Sequence, residues 1–100
     1  MSTKIKYGTK DLEKEIGGLS FGKLLESHRK GEELSQKDFA KTLNISQSSL
    51  CDLEKGRKIP SPSRAISIAQ VLGVSENLWI QVALQDQLNE QGLDFKVSVA

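Results

Sequence analysis

Residues 34–56, LSQKDFAKTLNISQSSLCDLEKG, decide the fold, because they spell two short helices joined by a tight turn. Ser35 precedes the helical run 36–43, and its hydroxyl can accept a free backbone N–H, with Asp38 three residues on in a capping-box-like place. Phe39, Ala40 and Leu43 fall on one face of that run while Lys37 and Lys41 fall on the other. Asn44 tolerates the left-handed conformation that stops a helix and turns the chain sharply. Ile45 is placed to plug the angle between the helices, and Ser46 caps the second one. There Leu50 and Leu53 point inward, Gln47, Ser48, Ser49 and Asp52 point out, and Gly56 ends the helix. Short amide and hydroxyl side chains on a helix N-terminus suit base edges in a major groove; a merely polar surface helix is the alternative.

On these residues and those around them, residues 21–88 resemble the lambda-repressor-like (Cro/Xre) helix-turn-helix family. The resemblance is carried by Leu34-Ser35-Gln36, Ala40, Leu43, Ile45-Ser46, Leu50, Leu53-Glu54, Gly56, Pro60, Ile68-Ala69 and Leu72-Gly73-Val74. It implies an all-α fold, a five-helix DNA-binding bundle, with residues 36–43 as the second helix and 46–55 as the recognition helix. It also implies base contacts by Gln47, Ser48 and Asp52, with Ser49 beside them. Gln47 can pair bidentately with adenine and Ser48 can serve either partner. Asp52 departs from the family: an acid repels phosphate and can at best accept from a cytosine amino group, so a solvated position is the alternative. Gln36 matches a residue that clamps the DNA backbone and braces the recognition helix. Arg29 and Glu54 match a pair that ties the first helix to the end of the recognition helix, read here as a structural salt bridge.

The net charge of +1 argues nothing for nucleic acid, but its distribution does. Residues 21–72 carry nine Lys and Arg against six Asp and Glu, whereas residues 73–100 carry one against four. A phosphate-facing side opposed by a partner-facing side fits that sorting. Lys55, Arg57 and Lys58 follow the recognition helix directly, and Ser61 and Arg64 open the next helix with free N–H groups. Together with Gln36 and Lys37 these are the expected DNA-backbone contacts, an ordinary solvated loop being the alternative. Pro60 and Pro62 stiffen the loop.

One hundred residues with 37% hydrophobic content make one compact domain. The expected division is an arm over residues 1–19, a helix-turn-helix domain over 20–90, and a tail over 91–100. Ser20 caps a first helix over 21–29 that uses Phe21, Leu24, Leu25 and His28 for the core and ends by Gly31. Residues 62–72 form helix four, burying Ala65, Ile66, Ile68, Ala69 and Leu72. Ser75 caps helix five, whose face of Leu78, Trp79, Val82, Ala83 and Leu88 is broader than a small core needs. Part of it, Leu78, Trp79 and Val82, is expected at a dimer interface, with core packing as the alternative. Residues 4–7 and 95–99 alternate apolar with polar residues and are expected to form short terminal β-strands that pair antiparallel, within a subunit or across a dimer; disordered tails are the alternative. Residues 11–16 can form a short charged helix.

The single Cys51 can form neither an internal disulfide nor a metal site, and no catalytic constellation surrounds the lone His28. No enzymatic activity, cofactor or membrane segment is expected, and the chain reads as soluble and cytoplasmic. One recognition helix reads only a few base pairs, so the expected function is a homodimeric repressor on a palindromic duplex operator. The alternative is an antitoxin that binds a toxin protein through its acidic tail and terminal strands and represses its own operon.

Overall fold

The computed structural model describes residues 19–98 and contains five helices in that span: α1 (Phe21–Gly31), α2 (Gln36–Leu43), α3 (Gln47–Glu54), α4 (Pro62–Leu72) and α5 (Glu76–Glu90). Each begins at a serine: the hydroxyls of Ser20, Ser35, Ser46, Ser61 and Ser75 accept the backbone N–H three residues on. Each satisfies a backbone donor that would otherwise lack a partner at a helix start.

The five helices also end alike. A residue with positive φ follows each one (Glu33, Asn44, Gly56, Gly73 and Gly92), and the N–H of the next residue donates five positions back. These bonds run from Leu34 to Arg29, Ile45 to Ala40, Arg57 to Asp52, Val74 to Ala69 and Leu93 to Leu88. This ending brings together the side chains at the two ends of the bond, which are commonly apolar. α1 ends at Gly31 as expected, and Glu33 takes the left-handed conformation beyond it, at φ 58°.

The core is one cluster to which every helix contributes: Phe21 and Leu25, Phe39, Ala40 and Leu43, Leu50 and Leu53, Ala65, Ile68 and Ala69, and Trp79, Val82 and Ala83. At its centre Phe21 meets Trp79 edge-on with ring centroids 5.6 Å apart, and His28 lies between Phe39 and Trp79 at 6.2 and 6.0 Å. Trp79 and Val82, expected at a dimer interface, are 3% and 1% exposed within the single chain. Their surface is already used in the core, and Leu78 alone of the three remains half-buried.

Gly22 sits where α1 crosses the end of α3. A Cβ there would lie 2.4 Å from the Leu53 carbonyl oxygen and 2.6 Å from that of Glu54. Asp86, from α5, adds a second cap to α1: its Oδ2 accepts the Phe21 N–H at 2.7 Å, across 65 residues of sequence. Burial of Asp86, outweighing the Phe21 hydrogen bond that favours its anion, raises its pKa above the ordinary value. The folded chain therefore holds this proton more tightly than the unfolded chain. The contribution of Asp86 to stability falls as pH rises from the ordinary aspartate value, about 3.9, through the raised one. Asp86→Asn keeps an acceptor for Phe21 and removes that dependence, so its stability advantage over the parent grows with pH across this window in urea titrations. A pH-independent difference contradicts the assignment. Asp86→Ala leaves the Phe21 N–H without its partner and costs about 1 kcal/mol.

The expected strand at residues 4–7, its pairing and the charged helix at 11–16 lie outside the described residues. At the other end the structure corrects the expectation, since residues 95–98 contain no strand. The Gln85 side chain of α5 engages the backbone there: its Nε2 donates to the Phe95 carbonyl at 2.7 Å and its Oε1 accepts the Val97 N–H at 2.8 Å. A side-chain amide thus holds the backbone groups of Phe95 and Val97. Among the described residues no helix is long and apolar enough to cross a membrane, and no cluster of His, Cys, Asp or Glu could hold a metal.

Candidate nucleic-acid interface

The turn between α2 and α3 sets the second helix against the first. Asn44 adopts φ 58° and ψ 45°, and the Ile45 N–H closes onto the Ala40 carbonyl at 3.0 Å. Ile45 packs against the core beside Leu43, and Ser46 then starts α3. Leu50, Leu53 and Glu54 are buried, so the opposite side of α3 is outward. Ser48, Asp52 and Lys55, at i, i+4 and i+7, share that outward side.

Glu54 anchors the helix from below. Its side chain is 2% exposed and receives Arg29 Nε at 2.8 Å and Nη2 at 3.2 Å, a two-pronged pair, while Gln36 Nε2 donates to the same carboxylate at 2.9 Å. Arg29 Nη1 donates to the Leu34 carbonyl at 3.0 Å. The hydrogen bond to Glu54 outweighs desolvation and raises the Arg29 pKa above its ordinary value. α1, the start of α2 and the end of α3 thus meet at one carboxylate, and Arg29 ties the α1–α2 turn to it. The geometry fixes the tilt of α3, and it engages Gln36 inside the protein.

The expected base-contact residues are not equivalent. Gln47 and Ser48 are exposed and make no side-chain hydrogen bond among the described residues. Ser49 is half-buried and its hydroxyl accepts from Ser46 Oγ at 3.0 Å. The Asp52 carboxylate is turned to the loop: Arg57 Nε donates to Oδ1 at 2.9 Å, and Lys58 Nζ lies 4.0 Å from Oδ2. That bond, with a weaker one to Cys51 Sγ at 3.4 Å, raises the Arg57 pKa.

Exposed cationic groups lie on the segments that follow and flank this helix in the chain. Lys37, Lys55, Arg57, Lys58 and Arg64 are all exposed. Ser49, Lys58, Ser61 and Arg64 line one shallow cleft of about 210 Å³ between α3 and the start of α4, where Ser61 caps the Arg64 N–H at 3.2 Å. Gln87 of α5 donates to the Pro60 carbonyl at 3.1 Å and pins the loop that carries them. Gln87, like Gly22 and Asp86, acts across a long sequence separation and leaves no local pattern to read.

Residues 25–79 match the helix-turn-helix family, over half of the chain. The chain is also 32% identical over 79 residues to the ImmF control region 10 kDa protein of Bacillus phage phi105, covering 79% of this chain and 87% of that protein. No solved structure matches the chain significantly. The chain belongs to the Cro/C1-type, lambda-repressor-like helix-turn-helix family of DNA-binding regulators, which are not enzymes.

Proposed function

We propose that the chain is a sequence-specific transcriptional repressor that reads the major groove with the N-terminal half of α3. The observation that carries this reading is the pairing of two unengaged polar side chains, Gln47 and Ser48, with exposed cations on α2, on the loop after α3 and at the start of α4. Gln47 and Ser48 supply base readout. Lys37, Lys55, Arg57, Lys58, Ser61 and Arg64 supply sequence-independent contacts to phosphate. Gln36 contributes indirectly, by holding Glu54 and so the angle of α3. The relative's name places that protein in a phage control region, which supports a regulatory role here.

The operator reading requires two copies, because one short helix contacts few base pairs; a palindromic site with half-sites about one helical turn apart is expected. With Trp79 and Val82 enclosed in the core, the contact between copies must use other surface. The antitoxin alternative rests on the acidic tail and the terminal strands, and of these residues 95–98 form no strand and are held on α5 by Gln85.

Selection from random duplexes at low salt tests the proposal. An enriched palindromic motif is expected, and Gln47→Ala should bind it about ten- to a hundredfold more weakly while losing preference at one position per half-site. No enrichment, or a Gln47→Ala variant with unchanged preference, contradicts it.

A further inference from the structure

The end of α3 differs from the other four helix ends in one respect. All five close with the same bond from the residue after the left-handed position, and at α1, α2, α4 and α5 that residue is apolar: Leu34, Ile45, Val74 and Leu93. At α3 it is Arg57, and the residue it meets is Asp52. The closure that elsewhere sets an apolar side chain here sets an ion pair, reinforced because the Asp52 carbonyl accepts both the Arg57 N–H at 2.9 Å and the Lys58 N–H at 3.2 Å.

From this geometry we infer that Asp52 is a positioning residue for Arg57, holding its guanidinium at the exit of the recognition helix as a preset phosphate clamp. The inference rests on the DNA-binding reading above. Arg57 Nε is taken by Asp52 and Nη2 by Cys51, whereas Nη1 has no partner among the described residues and keeps both of its hydrogens for a ligand oxygen. The side chain is 57% exposed, against 25% for Asp52, so the arginine is the more open member of the pair. An unrestrained Arg at this place would lose rotamer freedom on meeting phosphate; the Asp52 bond removes part of that cost before binding. This also gives an outward-facing acid on α3 a role other than base readout.

The test uses the sign of the effect. By charge alone, removing Asp52 from a DNA-facing surface strengthens binding. As a positioning residue, its loss weakens binding. Anisotropy with the full chain and its selected duplex should show Asp52→Ala binding about 3- to 10-fold more weakly. Asp52→Asn, which keeps an acceptor oxygen, should stay within about twofold. Arg57→Ala should bind more weakly with a salt slope lower by about one, and adding Asp52→Ala to it should cost nothing more. Thermal melts confirm that the variants are folded, as expected when the main-chain bonds to the Asp52 carbonyl remain. Tighter binding by Asp52→Ala, or an undiminished loss in the Arg57→Ala background, overturns the inference while leaving the DNA-binding reading intact. Failure of the parent chain to bind any duplex overturns both.

Discussion

Arg29→Ala should destabilise the domain by about 3 kcal/mol, a large fraction of the roughly 5–15 kcal/mol that holds a small domain together. The cost arises from what is left behind. Glu54 keeps Gln36 but loses both guanidinium bonds in a site where its side chain is 2% exposed. Arg29 also leaves the Leu34 carbonyl without its partner, loosening the α1–α2 turn. Replacing both charges by apolar residues of similar size, Arg29→Met with Glu54→Leu, should recover much of the loss, because the isolated buried charge disappears. Urea denaturation of the single and double variants measures this, and a single variant within 1 kcal/mol of the parent contradicts it. At temperatures where Arg29→Ala remains folded, DNA affinity should fall while base preference stays unchanged, since the pair sets the angle of α3 and touches no base.

The second large effect reverses a rule of helix propensity. Gly22 lies inside α1, where alanine is ordinarily worth up to about 1 kcal/mol more than glycine. Yet the added methyl would stand 2.4 and 2.6 Å from two carbonyl oxygens of α3, and backbone cannot swing aside as a side chain can. Gly22→Ala should therefore destabilise by about 2–3 kcal/mol, as overpacking does in tight interiors. The displaced atoms belong to Leu53 and Glu54, so the clash pushes on the recognition helix and its anchoring carboxylate together. Weaker DNA binding should accompany the lower melting point. A Gly22→Ala protein more stable than the parent contradicts the close approach of α1 and α3.

What the sequence reveals and what it hides divide by distance along the chain. Ser20, Ser35, Ser46 and Ser75 announce helix starts because each cap acts on an N–H three residues away, and Asn44 and Gly56 announce ends for the same local reason. The pairing of Arg29 with Glu54, 25 residues apart, is visible only through resemblance to a family. Gly22 gives no signal, because its role is the absence of a side chain opposite backbone from another helix. Asp86 reads as one more exposed acid until the fold brings it to the Phe21 N–H. Trp79 and Val82 show why an apolar helix face cannot be divided between core and interface by counting: Phe21 and His28 take up the Trp79 ring, and Val82 is enclosed in the same core. In the candidate interface, Gln47 and Ser48 keep the exposure expected of them, whereas Asp52 and Ser49 turn to partners inside the protein.

The most direct test of the central claim is fluorescence anisotropy of the purified protein with the duplex upstream of its own gene, against a scrambled duplex of equal composition, across a salt series. The native duplex should bind at least about a hundredfold more tightly, with two chains per duplex and an affinity that falls steeply with salt as the exposed cations displace counterions from phosphate. Equal, weak binding to both duplexes, with no palindrome recovered by selection, would contradict that claim.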